Sequence, residues 1–148
     1  MKSDMPSASQ SLLEQLKLDS LVLDECQVVR GEAGTAKPGK VETEIDVSFS
    51  SQDNVVYVVK STHSFMNSSG ELLARIEASY VASYSYDGPD PEDEEIENYA
   101  QTALMIQVLP FIREFLASMT NRLGLTPFYL PLFGKRATVL YRPQPEAQ

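Results

Sequence analysis

The feature that most constrains this chain is a change of period. Between residues 41 and 86 apolar side chains recur at every second position; beyond residue 95 they recur three and four apart. Residues 41–49 show the first pattern cleanly. Val41, Thr43, Ile45, Val47 and Phe49 fall on one face, and Glu42, Glu44, Asp46 and Ser48 on the other. Period two with one polar face is the signature of a half-buried strand. A valine-rich strand is expected at 55–66 and a long one at 71–86, which lines Leu72, Ala74, Ile76, Ala78, Tyr80, Ala82, Tyr84 and Tyr86 along one side. Gln52–Asn54 and Asn67–Gly70 are the turns between them. Residues 20–30 are read as a first strand, followed by a loop at 31–40 built on three glycines and Pro38. Short turns between long strands imply an antiparallel meander of four strands.

The second period begins after an acidic loop. Ile96, Tyr99, Ala100, Ala103 and Leu104 form one helical run, and Ile112, Phe115, Leu116, Met119 and Leu123 another. Acids just ahead of the first run suit a helix N-terminus. Pro110 lies between the runs, where its missing N–H and its ring predict a break or kink. Gly124 is a natural C-terminal cap, and Pro127 forbids continuation. Residues 125–141 carry Pro127, Pro131 and Gly134 and read as extended, with a short strand at 137–141. At the other end, Ser9 or Ser11 is placed to cap a short helix carrying Leu12, Leu13 and Leu16. Strands followed by helices give an α+β fold, a four-stranded antiparallel sheet with a long, Pro-kinked helix on one face. Its 148 residues suit one domain. Residues 1–19 are expected to be a flexible N-terminus with the short helix, 20–133 the body, and 134–148 a tail.

Charge narrows the function. The net charge is −9, but seven of the 21 acids crowd between Asp87 and Glu97 with no base among them. Without that window 14 acids face 12 bases, so the body is close to neutral. No basic face for tracking phosphates is visible, which argues against nucleic acid. No stretch approaches the roughly 18 apolar residues of a membrane span, and no secretory h-region opens the chain. A cytoplasmic protein is expected.

The search for chemistry returns little. His63, in the third strand, lacks the neighbours of a catalytic base and reads as an ordinary, half-exposed strand residue. Cys26 has Glu25 and Gln27 beside it, with no positive charge to depress its thiol pKa, and reads as structural. The acidic loop lacks calcium-loop spacing and reads as a solvated helix cap. No phosphate-cradling glycine loop and no G-x-S-x-G are present. No enzyme, cofactor or metal is expected. Aromatic residues are more suggestive: Tyr80, Tyr84 and Tyr86 in one strand, and Phe128, Tyr129, Phe133 and Tyr141 in the tail.

The segment Leu109-Pro110-Phe111-Ile112-Arg113-Glu114-Phe115-Leu116-Ala117-Ser118-Met119-Thr120-Asn121-Arg122 resembles the long helix of the SecB family of export chaperones. Its order is a hydrophobic residue, proline, an aromatic, a spacer, Arg-Glu, then Ser-Met and a closing Arg before glycine. The exit through Leu125-Thr126-Pro127 into Leu130-Pro131-Leu132 is also similar, and four strands precede the helix as in that family. The resemblance covers roughly residues 20–133. Residues 134–148 do not read as that family's second C-terminal helix. The acidic loop and the N-terminal helix look more like divergent SecB-like chaperones, some of which guard toxin–antitoxin systems.

The resemblance implies an ATP-independent holdase. Such a protein binds unfolded or non-native polypeptides in apolar grooves, in the service of protein export and translocation. It implies a homotetramer, a dimer of dimers, and SecA as a partner, although no acidic positions here match those by which SecB docks SecA. The alternative is a module of the same fold dedicated to one client, such as an antitoxin. Val47, Phe49, Tyr57, Phe128, Tyr129 and Phe133 are the expected client contacts. Phe111, Ile112, Phe115, Leu116 and Met119 are expected to pack on the sheet or on a partner helix, and Arg113 and Arg122 to make polar contacts between helices.

Overall fold

Four long antiparallel strands and a 30-residue helix account for most of the chain in the computed structural model. It describes residues 12, 14–32, 38–126, 128 and 137–143, with 137–140 and 142 defined by backbone alone. Strands β1 (Lys17–Arg30), β2 (Lys40–Ser51), β3 (Val55–Met66), β4 (Leu72–Ser85) and β5 (Ala137–Pro143) form one sheet in the order β1-β4-β3-β2-β5. The expected meander holds for β2, β3 and β4. β1 does not join β2; it crosses to the far edge and pairs antiparallel with β4. β5 adds to the free edge of β2 and is the only parallel strand among the five.

Period two does the work expected of it in the central strands. Val55, Tyr57, Val59, Ser61, His63 and Phe65 of β3 all point to the buried face. Ile45, Val47 and Phe49 of β2, and Ile76, Ala78, Tyr80, Ala82 and Tyr84 of β4, share that face. β2 and β3 run against each other through twelve pairs with no register shift. β1 is different. Its register shifts between Leu18 and Ser20 and again between Leu23 and Glu25. Each shift changes which side chains face the core.

Helix α1 (Asp93–Arg122) lies on the buried face. It starts at Glu92 with a capping box, in which the Glu95 carboxylate accepts the Glu92 N–H at 2.9 Å. It ends in a Schellman turn: Leu125 N–H reaches Thr120 O at 2.9 Å, and Gly124, at φ +79°, donates to Asn121 O at 3.1 Å. The break expected at Pro110 does not occur, since Pro110 sits inside the regular stretch Met105–Arg122. The irregularity falls earlier, in a π-helical turn at Ala100–Leu104. There the Thr102 hydroxyl donates to the carbonyls of Asn98, at 3.0 Å, and Tyr99, at 3.3 Å. By length and composition α1 could cross a membrane. Its buried stripe of Ile96, Ala100, Leu104, Val108, Ile112, Leu116 and Thr120 is instead that of a core helix lying on a sheet.

Candidate functional site

The aromatic residues of the sheet divide into two groups. Tyr57 and Tyr84 meet edge to face, with centroids 5.7 Å apart, and Tyr99 of α1 closes the cluster at 5.3 Å from Tyr84. The Tyr57 hydroxyl donates to Ile96 O at 2.7 Å, and that of Tyr84 to Gln107 Oε1. Burial raises the pKa of both phenols, with the neighbouring tyrosines adding to the effect. This group is a clasp that holds the helix to the sheet. Val47, Phe49 and Tyr57, expected to meet clients, belong to it or adjoin it. At 0–2% exposure they offer a client no surface, so that expectation is corrected. The apolar face of β2 was read correctly, but α1 covers it.

The second group opens to solvent. Tyr80 touches Phe111 edge to face at 6.4 Å, and its hydroxyl donates to Phe111 O at 3.3 Å. Burial pushes the Tyr80 phenol up to about 12. Leu21, Leu23, Tyr80, Phe111, Glu114, Phe115 and Ser118 line a groove of about 420 Å³ between β1 and α1. Phe111 remains 45% exposed and Ile106, on the same helix, 62%. Leu18, Val22, Leu23 and Val29 of β1 are also exposed. Among the described residues β1 has a neighbour on one side only, which leaves its outer N–H and C=O groups without a strand partner there.

Of the other expected helix contacts, Ile112 and Leu116 are buried in the core, while Phe115 and Met119 are partly buried against it. Arg113 is half-buried, and its Nε is buried without a hydrogen-bond partner among the described residues. Arg122 is exposed. Phe128 packs edge to face on Phe65 at 5.4 Å. Tyr129 and Phe133 lie outside the described residues. Leu21, Leu23 and Tyr80 were not singled out as site residues from sequence. The bulges of β1 hide the first two, because they break the alternation that would assign Leu21 and Leu23 to the helix side.

His63 and Cys26 exchange their expected environments. His63 is fully buried, with Nδ1 3.0 Å from the Thr43 hydroxyl and Nε2 without a partner among the described residues. Desolvation lowers its pKa to about 4, so it is neutral at physiological pH. Cys26 is exposed on β1. Among the described residues no group of three or more His, Cys, Asp and Glu could hold a metal ion.

The fold recurs in a solved structure. The Mycobacterium tuberculosis Rv1957 SecB-like chaperone, in complex with a ChAD peptide from the Rv1956 HigA1 antitoxin, superposes with a TM-score of 0.77. The match spans 88% of this chain and 99% of that one at 20% identity. The fold is SecB-like. A protein of unknown function from Streptococcus agalactiae also matches, at 16% identity over 79% of this chain, but its TM-score of 0.33 is too low to bear on the fold. No family model matches the sequence, and no curated protein matches it significantly. The SecB-like fold thus emerges from structure where sequence comparison finds nothing. Its four antiparallel strands and long helix are the parts that the residue pattern foretold.

Proposed function

We propose that this protein is an ATP-independent holdase that binds extended, non-native polypeptides as a homotetramer. The observation that carries the reading is exposed apolar surface. Leu18 and Leu23, exposed on the helix side of the edge strand, flank a groove walled by Tyr80, Phe111 and Phe115, with Glu114 and Ser118 in its lining. Soluble chains rarely leave such surface bare unless something docks there. A SecB-like chaperone in complex with an antitoxin peptide supports the reading that this fold receives a polypeptide segment. The edge of β1, with the exposed Phe111 across the groove from it, suits contact between subunits. A dimer of dimers built this way would pair strands across subunits and bury the exposed helix face. The acidic stretch at 87–97 keeps such an assembly soluble and favours basic client segments.

A dedicated role toward one client, such as an antitoxin, is the second reading. It is favoured by the particular neighbour, whose bound peptide comes from an antitoxin. Cytoplasmic location and service to protein export, with SecA as partner, belong to the first reading.

The test joins mass to activity. Light scattering gives the native mass, and the protein is then added to a refolding, aggregation-prone client without ATP. A tetramer that suppresses aggregation at near-stoichiometric ratio supports the general holdase. An oligomer inactive toward several unrelated clients points to the dedicated role, and a monomer inactive toward all of them sinks the holdase reading.

A further inference from the structure

The opposite edge of the sheet carries a feature that the proposed subunit contacts leave unused. β2 is a regular twelve-residue strand with no register shift against β3, so its outer edge presents a straight, continuous ladder. β5 occupies that edge from Thr43↔Ala137 to Phe49↔Pro143. It is the one parallel strand in an otherwise antiparallel sheet, and parallel pairing is slightly weaker per residue. It ends on Pro143, which has no N–H to give to the ladder. Tyr141 is its described apolar anchor, half-buried against the core. The chain between α1 and β5 carries Pro127, Pro131 and Gly134. β5 is thus an extended, partly apolar segment held at a sheet edge by main-chain pairing. Such pairing reads backbone rather than sequence, and alternate side chains add the selectivity.

We propose that the β2 edge is where an extended polypeptide client adds to the sheet as a strand, and that β5 is an internal occupant which the client displaces. The inference rests on the holdase reading and assigns it a site. The partner is an unfolded segment that is apolar at every second residue and free of consecutive prolines. β5 covers the ladder while no client is present, which protects an edge that would otherwise invite aggregation. Occupied and vacated edges then compete within one molecule, and client affinity is lowered by the fraction of time that β5 is docked.

The test locks β5 in place. Glu44 and Thr138 are Cα partners across β2 and β5, and Glu44 is exposed on the face away from the helix. Neighbouring strands are separated by a distance that a disulfide spans. The full chain carrying Glu44→Cys and Thr138→Cys, with Cys26→Ser, is oxidised, and intact mass verifies the cross-link. The probe is fluorescein-labelled lysozyme, reduced and carboxymethylated so that it stays unfolded. Oxidation should weaken probe binding at least tenfold, and dithiothreitol should restore it. Equal binding in both forms overturns the proposal. In the unmodified chain, saturating probe should speed amide exchange at 137–143 while 43–49 stays protected. Persistent protection of 137–143 with probe bound also overturns it. If the unmodified chain binds no probe at all, the holdase reading itself falls, an outcome distinct from the other two.

Discussion

His63 shows what a single side chain contributes when it is closed off from water. Its imidazole lies on the helix side of β3, fully buried, with one hydrogen-bonding neighbour in Thr43. The folded state therefore prefers the neutral ring, and the pKa falls from its ordinary 6.5 to about 4. The unfolded chain takes up a proton at higher pH than the folded one does. The stability tied to this group is therefore complete above pH 6.5, and it is lost progressively as pH falls from 6.5 toward 4. The full loss is about 3 kcal/mol. Replacing His63 with Leu should flatten that part of the pH profile of urea unfolding; an unchanged slope between pH 6.5 and 4 would show that the ring is solvated. From sequence His63 was read as a half-exposed strand residue, and the structure buries it fully. Its depth depends on α1, which is remote in the chain.

Among the elements, the central strands were the most legible. Residues 55–66 were expected as a strand, and β3 runs Val55–Met66. Cross-strand burial on one face and solvent on the other write themselves into period two. β1 was less legible, because two bulges scramble its alternation and its partner β4 lies more than forty residues away. Pro110 misled for a different reason. A helix that one face packs onto a sheet can absorb the loss of one N–H, since tertiary packing outweighs local propensity. Glycines divide in the same manner. Gly124 was read as a helix cap, whereas Gly31 was read only as part of a loop. A Cβ on Gly31 would stand 2.0 Å from Leu72 O, and its own N–H donates to Leu73 O at 2.8 Å. Gly31→Ala should therefore cost about 3 kcal/mol by forcing β1 off β4. Gly124→Ala meets no atom but must hold a left-handed φ, at about 1–2 kcal/mol. Urea unfolding of the two variants should rank them in that order, and the reverse ranking would mean that the end of β1 yields easily.

At the scale of the whole molecule, the candidate surface was only half visible from sequence. Phe111 and Phe115 were singled out, but as packing residues, and the β2-face aromatics were assigned to the surface. The pattern of apolar residues shows that a face is covered without saying by what. α1 claims the β2 and β3 face first, and that leaves β1 and the outer flank of the helix as the bare apolar surface. Phe111→Asp places a charge on that flank while leaving the buried stripe of α1 intact. Light scattering should then show a smaller species than the parent, with unfolding free energy per chain little changed. An unaltered mass would remove Phe111 from the subunit contact.

The position of β5 in the chain has a consequence for synthesis. β2 emerges from the ribosome about 90 residues before its edge partner exists, which at ordinary elongation rates is roughly 5–20 s. From the completion of β4 at Ser85 until β5 is made, every nascent copy carries a sheet whose straightest edge is bare. Copies growing side by side on one messenger are then exposed to strand exchange with each other before their own last strand can close the sheet.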